Sequence, residues 1–82
     1  MEQRTYVVHA TWDGDANVWV AESDDVPGLI AEAPTLEALL TKLRVLVPEL
    51  LELNGRAPES GEVSLEVLGS YRHQERIHLN AA

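Results

Sequence analysis

The sequence predicts an α+β domain in which an antiparallel meander of three strands is followed by one helix and a returning strand. Three observations predict this order. Segments near the N-terminus alternate apolar and polar residues, a leucine-rich segment repeats its apolar residues at helical spacing, and alternation returns after a loop. Because 82 residues are too few for two independent cores, residues 1–82 are expected to form a single domain.

The first three strands are expected within about residues 4–33. The segments "TYVVHATW" and "VWVAES" flank the turn-forming "DGDAN" and predict a hairpin. The next turn, "DDVPGL", suits type II geometry, because Pro27 fixes φ and Gly28 accepts the positive φ that follows. A short third strand, "LIAEA", then ends at Pro34, which cannot continue a ladder.

The helix is expected over about residues 35–54, with Thr35 as its N-cap and a kink or a break at Pro48. Its apolar residues form one stripe, expected to face the sheet, which comprises Leu36, Leu40, Leu43, Val47 and Leu50. A parallel row spaced by seven comprises Leu39, Leu46 and Leu53. This apolar surface is wider than one sheet needs, so the row is expected to contact a second subunit. A small domain that uses all its leucine for its own core is the alternative.

The last strand is expected over about residues 62–68, with Val63, Leu65 and Val67 facing inward. Since it follows a helical crossover, it can lie parallel to a neighbouring strand. Residues 70–82 are expected to be either a further strand segment or an arm that lies on a neighbouring subunit.

The charge distribution bears on the class of partner. Fourteen acidic residues stand against six Lys or Arg, and the stretch from Thr5 to Thr41 has seven acids and neither Lys nor Arg. Such a surface repels phosphate, so direct nucleic-acid binding is not expected, whereas a basic protein would be attracted. A surface that serves only solubility is the alternative. With no signal-peptide or membrane-spanning run and no cysteine, we expect a cytoplasmic protein.

Two acidic clusters were considered as metal sites. "DGDANVWVAESD" resembles a calcium loop, but Val18 stands where that loop needs Gly and Asp24 where it needs Glu. A cluster of Glu22, Asp24 and Asp25 has no helical acid to complete it. We therefore expect neither catalytic residues nor a metal or cofactor. Asp24 and Asp25 should shape the Pro-Gly turn and add to an acidic surface, so that neutralising both leaves the melting temperature nearly unchanged.

The run from Tyr6 to Leu43 resembles the HicB-like antitoxin superfamily and, within it, a branch of small domains of unknown function. The matching segments are Asp13 and Asp15 in the first turn, Trp19-Val20-Ala21, Asp25-Val26-Pro27-Gly28-Leu29, and Thr35-Leu36-Glu37. The departures are Asn17 and Ala33, where Gly is common, and Ala38 and Leu39, which replace the last two residues of an "E-E-A" motif.

The resemblance implies a partly degraded ribonuclease-H-like fold that lacks the catalytic acids. It also implies a partner, because HicB proteins neutralise HicA, a small basic toxin that cleaves RNA. Many relatives carry a C-terminal DNA-binding half, which the strand and arm expected here do not resemble. The predicted function is a non-catalytic, antitoxin-like binding module. The alternative is a stand-alone homo-oligomeric structural protein.

The residues predicted to contact a basic partner are the acids of the first three strands and their turns. They are Asp13, Asp15, Glu22, Asp24, Asp25 and Glu32.

Overall fold

The computed structural model describes residues 4–79. The predicted domain 1–82 and the predicted arm 70–82 extend past these limits, and residues 1–3 and 80–82 lie outside the described part. The elements are β1 (Thr5–Asp13), β2 (Val18–Glu22), β3 (Ile30–Ala33), α1 (Leu36–Leu53) and β4 (Ser64–Ser70). The predicted α+β class and its β-β-β-α-β order are therefore confirmed.

The four strands form one sheet in the order β3-β2-β1-β4. β1 pairs with β2, and β2 with β3, in antiparallel fashion, whereas β4 returns parallel to β1. Trp12 lies opposite Trp19 at the end of the hairpin, where the two rings meet edge to face with centroids 5.7 Å apart. This pairing fixes the register of the hairpin, since a shift by one residue would turn every side chain to the other face.

One face of the sheet packs against α1 and forms the core. The buried strand and turn residues are Tyr6, Val8, Ala10, Ala21, Val26, Leu29, Ala31 and Ala33. From the helix come Leu39, Leu43, Val47 and Leu51, whose spacing of four places them on one stripe. The buried residues of β2 and β3 are all alanines, namely Ala21, Ala31 and Ala33, and their small side chains let the helix approach these strands closely.

The helix is rotated relative to the sequence prediction. Leu39, predicted to contact a second subunit, is fully buried in the core, so that assignment is wrong. Leu46 is half-buried and packs against the core, and Leu53 is 81% exposed. Leu36, which was assigned to the core stripe, is 37% exposed instead.

α1 runs from Leu36 to Leu53 without a break, so Pro48 does not divide it. Because proline has no N–H, it cannot donate the helical bond to the carbonyl four residues earlier. Thr35 caps the first turn, since its Oγ1 accepts a hydrogen bond from the N–H of Ala38 at 3.0 Å. Within residues 4–79, no helix combines the length and the apolar character that crossing a membrane requires.

The sheet is covered unevenly, because α1 lies over β3 and β2 rather than over β4. Leu65 and Val67 of β4 face the helix side but are only half-buried. β4 begins and ends two residues later than predicted. Residues 71–79 then continue without helix or strand and are exposed throughout, so in this part of the chain the predicted further strand segment does not form.

Candidate partner-binding surface

The face of the sheet opposite α1, called here the open face, is not covered by any element among residues 4–79. Its side chains follow from the strand registers and the alternation of each strand. They are Thr5, Val7, His9, Thr11 and Asp13, then Val18, Val20 and Glu22, then Ile30 and Glu32, and finally Ser64, Glu66, Leu68 and Ser70. Four of these side chains are acidic and none is Lys or Arg, so the open face carries negative charge.

One row of the open face crosses all four strands. His9 pairs with Glu22 on one side and with Leu68 on the other, and Glu22 pairs with Ile30. Ile30 is 81% exposed and Leu68 is 47% exposed. The row therefore presents a titratable pair between two apolar side chains, an arrangement suited to protein contact.

A hydrogen-bonded clasp holds the turn after β2 against β1. Val7 lies two residues before His9, the first residue of β1 that pairs with β2, so its backbone groups on that side need other partners. Its N–H donates to Oδ2 of Asp25 at 2.8 Å, and its carbonyl accepts from the hydroxyl of Ser23 at 2.5 Å. The Ser23 oxygen also accepts from the N–H groups of Asp25 and Val26. Side chains thus continue the ladder where β2 ends.

The clasp distinguishes Asp25 from Asp24. Asp25 is partly buried and also accepts from Nη2 of Arg4 at 3.2 Å, whereas Asp24 is exposed. The hydrogen bond from the N–H of Val7 holds the pKa of Asp25 below its ordinary value, and Arg4 contributes in the same direction. The expectation that both carboxylates can be neutralised without loss of stability is therefore corrected for Asp25.

The turn that follows has the geometry that Pro27 and Gly28 favour. The N–H of Leu29 donates to the carbonyl of Val26 at 3.1 Å, and Gly28 has a φ of +84°. Asn54, at the end of α1, donates from its side chain to the carbonyl of Pro27 at 3.4 Å. The turn is thereby tied to the helix as well as to β1.

A shallow groove of about 330 Å³ lies between this turn and the open face. Its lining includes His9, Glu22, Asp24 and Ile30, together with the backbone around Gly28. Glu32 lies on the same face two residues beyond Ile30. Of the six predicted contact residues, the structure thus groups Glu22, Asp24 and Glu32 near one end of the sheet.

The other three predicted contact residues do not join this group. Asp13 ends β1, and its Oδ1 accepts from the N–H groups of Asp15 and Ala16, so its carboxylate shapes the hairpin turn. It lies four residues along β1 from His9, or about 13 Å at the usual rise of a strand. Asp15 is exposed at the tip of that turn, and Asp25 is engaged in the clasp.

A reaction in this groove would need a nucleophile or a metal site. Ser23 is the only hydroxyl in its lining, and that oxygen already bonds three backbone groups, which leaves it poorly placed to act as a nucleophile. Throughout residues 4–79, no three His, Cys, Asp or Glu side chains converge as a metal site would require. The arrangement is suited to binding through charge and shape.

Comparison with protein families gives a match over residues 5–79 to DUF1902, a domain of unknown function. The chain belongs to the DUF1902 family. The family description assigns no reaction to its members. A comparison with curated proteins finds no match.

A solved structure resembles this DUF1902 chain along most of its length. It is a hypothetical protein from the extremely thermophilic bacterium Thermus thermophilus, 55% identical to this chain, with a TM-score of 0.68. The likeness covers 90% of this chain and all of the other. The four-stranded sheet with one helix is therefore the fold of this DUF1902 domain.

Sequence reasoning missed the residues that bind the turn to β1 in this DUF1902 domain. Neither Ser23 nor Arg4 was assigned a role from the sequence. The available signal for Ser23 was its position between a strand and an Asp, where a hydroxyl commonly bonds nearby backbone groups. Arg4 also lies over the ring of Tyr6, with its guanidinium carbon 4.9 Å from the ring centroid.

Proposed function

We propose that this DUF1902 protein is a non-catalytic binding module that covers a small basic protein with its open face. The observation that supports the proposal is the groove lined by Glu22 and Asp24, with Glu32 two residues beyond Ile30 on the same open face, which has no Lys or Arg. A negatively charged face speeds encounter with a positively charged partner and disfavours the binding of nucleic acid. Ile30 and Leu68 add apolar area to the same face.

The resemblance to HicB-like antitoxins supports the same proposal and suggests a partner. The Asp25-Val26-Pro27-Gly28-Leu29 run that carries the resemblance forms the clasp and turn beside the groove. A HicA-like protein, small, basic and RNA-cleaving, would have the charge that the open face attracts. Binding to the open face would neutralise such a toxin by covering it.

The test uses the product of a small basic reading frame next to the gene, purified and titrated against this protein. The triple variant Glu22→Gln, Asp24→Asn, Glu32→Gln should weaken binding at least about tenfold in low salt. It should also flatten the salt dependence of the dissociation constant, because fewer exposed charges remain to be screened. Calorimetric titration at two salt concentrations measures both effects.

The matched control is the triple variant Glu49→Gln, Glu52→Gln, Glu59→Gln. It removes the same charge from exposed positions on α1 and the loop that follows it. If this control weakens binding as much as the open-face variant, net charge rather than the open face attracts the partner. If no such neighbour is encoded, or if the encoded neighbour does not bind, the antitoxin-like function is wrong.

A second candidate function is a stand-alone homo-oligomeric protein without a toxin. The observation that favours it is the exposed apolar surface of residues 71–79, where Ile77 is 83% exposed and Leu79 is 94% exposed. This candidate requires that the protein self-associate and that the adjacent gene product fail to bind. The titration above, together with light scattering of the protein alone, separates the two candidates.

A further inference from the structure

Residues 71–79, called here the arm, leave the folded body as one extended segment. The molecule measures 66 Å along its longest axis but only 24 and 19 Å along the other two. Its radius of gyration is 16.9 Å, against about 12 Å for a compact chain of this length. The arm is long enough to span about 30 Å and exposes its backbone and its apolar side chains together.

The start of the arm is held in a fixed direction. Tyr71 packs against Trp12 and Trp19, with ring centroids 6.1 and 6.2 Å apart. His73 stacks on Tyr71 at 6.3 Å with the two planes 4° apart, and its Nε2 lies 2.6 Å from Oε1 of Glu75. A segment held in this way loses less conformational entropy when it binds than a free tail would.

An apolar groove lies on the helix side of the sheet, between α1 and β4. It exists because α1 covers β3 and β2 and leaves β4 partly bare. Its volume is about 250 Å³, and its lining comprises Leu43, Arg44, Val47, Pro48, Gly61, Val63 and Leu65. This volume is below the roughly 300–1,000 Å³ typical of small-molecule sites, and it is suited to a few aliphatic side chains.

The arm cannot readily enter the groove of its own chain. The groove lies at the start of β4, beside Val63 and Leu65, whereas the arm departs from the other end after Ser70. Tyr71 is eight residues beyond Val63, or about 26 Å along a strand. To return, the arm would have to reverse direction, and residues 71–79 contain neither glycine nor proline for a tight turn.

Charge favours a second copy of this chain as the occupant. The arm carries two Arg and two His with a single Glu, whereas residues 4–70 carry twelve acids and four Lys or Arg. Glu52 lines the smaller pocket that continues the groove past Pro48. A basic arm would therefore meet a body with an excess of acids, with Glu52 beside the groove and Arg44 in its lining, while the apolar side chains of the arm meet the apolar residues of the groove.

We propose that two copies of this chain exchange arms, so that Ile77 and Leu79 of each copy pack into the groove between α1 and β4 of the other. Each copy offers one arm and one groove, so a reciprocal exchange between two copies leaves neither arm nor groove unused and closes on a two-fold axis. It leaves the open face of both copies accessible. This assembly does not depend on the basic partner proposed above.

The first test compares the self-association of two variants that each introduce one charge at an exposed isoleucine. Ile77→Asp should raise the dimer dissociation constant at least tenfold in sedimentation equilibrium, because a carboxylate would enter the apolar groove. Ile30→Asp, on the open face, should leave that constant unchanged. A monomeric native protein at 100 µM, or equal effects of the two variants, would overturn the proposal.

The second test locates the contact by cross-linking, for which the absence of native cysteine leaves a clean background. A chain with Ile77→Cys is mixed with a chain of different mass that has Val63→Cys. The expected product is a disulfide-linked heterodimer of the two masses. A dominant homodimer of the Ile77→Cys chain, or a linked product of Ile77→Cys with Ile30→Cys, would show that the arm lies elsewhere and would overturn the assignment to the groove.

Discussion

The meander under α1 and the strand that follows the helix use the same alternation of apolar residues but bury them differently. On the helix side, Val8, Ala10 and Ala21 are fully buried, whereas Leu65 and Val67 of β4 are half-buried. The cause is the position of α1, which lies over β3 and β2, together with the place of β4 at the far edge of the sheet, whereas β1 is flanked by strands on both sides. In a sheet covered by a single helix, the burial of a strand thus depends on where the helix lies. The alternation of apolar residues in that strand does not determine how deeply they are buried.

The largest expected loss of stability is at a fully buried residue of the core. Leu39→Ala should lower the free energy of unfolding by about 2–5 kcal/mol, because it leaves a cavity in the fully buried core. Leu65→Ala should cost about 1–2 kcal/mol, since part of that side chain remains in water. Urea denaturation of both variants at one protein concentration measures the difference. Equal losses would mean that β4 is as well covered as the meander.

Glycine substitutions compare the two regions at the level of the backbone. Gly28→Val should cost about 1–3 kcal/mol, because φ is +84° at this position and a β-branched residue tolerates that poorly. Space is not the cause, since an added Cβ would lie 3.7 Å from Leu50 Cδ2, an ordinary contact.

The control is Gly69→Val in β4. Gly69 is outside the positive-φ region, and its added Cβ would lie 3.8 Å from a carbon of Trp19. Because valine is favoured in strands, this variant should be neutral or stabilising by up to about 1 kcal/mol. Thermal unfolding of the two glycine variants measures the difference. A larger loss of stability for Gly69→Val than for Gly28→Val would show that the backbone strain is not at Gly28.

Asp25→Asn is expected to lower the melting temperature at pH 7, whereas Asp24→Asn should leave it nearly unchanged. The pKa of Asp25 is lowered in the folded state, chiefly by the N–H of Val7 and also by Arg4. A depressed pKa stabilises the fold fully above the unfolded value of about 3.9, and the contribution is lost as the pH falls through the folded value. The gap between native protein and Asp25→Asn should therefore be constant from pH 5 to 8 and shrink below about pH 4.

Thermal unfolding of the three proteins across pH 2–8 measures this gap. A gap of the same size at pH 2 as at pH 7 would show that the amide disturbs the clasp for a reason unrelated to charge. A loss for Asp24→Asn as large as that for Asp25→Asn would mean that the two neighbours share the clasp.

The smallest effect is expected at the exposed end of the helix. Leu53→Ser should change the free energy of unfolding by no more than about 0.5 kcal/mol, because that side chain is 81% exposed. The measurement is urea denaturation at two protein concentrations. A loss of stability that grows with protein concentration would show that Leu53 contacts another subunit. That is the role predicted from the sequence for Leu53, together with Leu39 and Leu46.

The element order was predictable because alternation, helical spacing and turn residues act over short distances. The rotation of α1 was not, because apolar residues surround much of this helix and two adjacent stripes are nearly equivalent by pattern. Packing against the alanines of β2 and β3 selects the stripe that begins with Leu39. That selection depends on contacts between residues far apart in the sequence.

The negative charge of the candidate site was predictable from the sequence, but the arrangement of its side chains was not. The acids of the first three strands indicate an attraction to basic partners; Glu22 and Asp24 line one groove, and Glu32 lies two residues beyond Ile30 on the same face. The different role of Asp25 depends on Val7, which is 18 residues away in the sequence and accessible only once β1 and β2 are in register. Neighbouring side chains of identical chemistry therefore cannot be told apart before the fold is known.

The parallel pairing of β1 with β4 has a consequence for synthesis of the chain. Thr5 lies beside Ser64, and the strands between them include everything else in the sheet. β1 is central in the finished protein, yet one of its edges has no partner until the last strand has been translated. Domains form from the N-terminus onward, and an unpaired strand edge is a template for aggregation. Until β4 pairs with β1, that edge of the nascent meander is open to foreign strands.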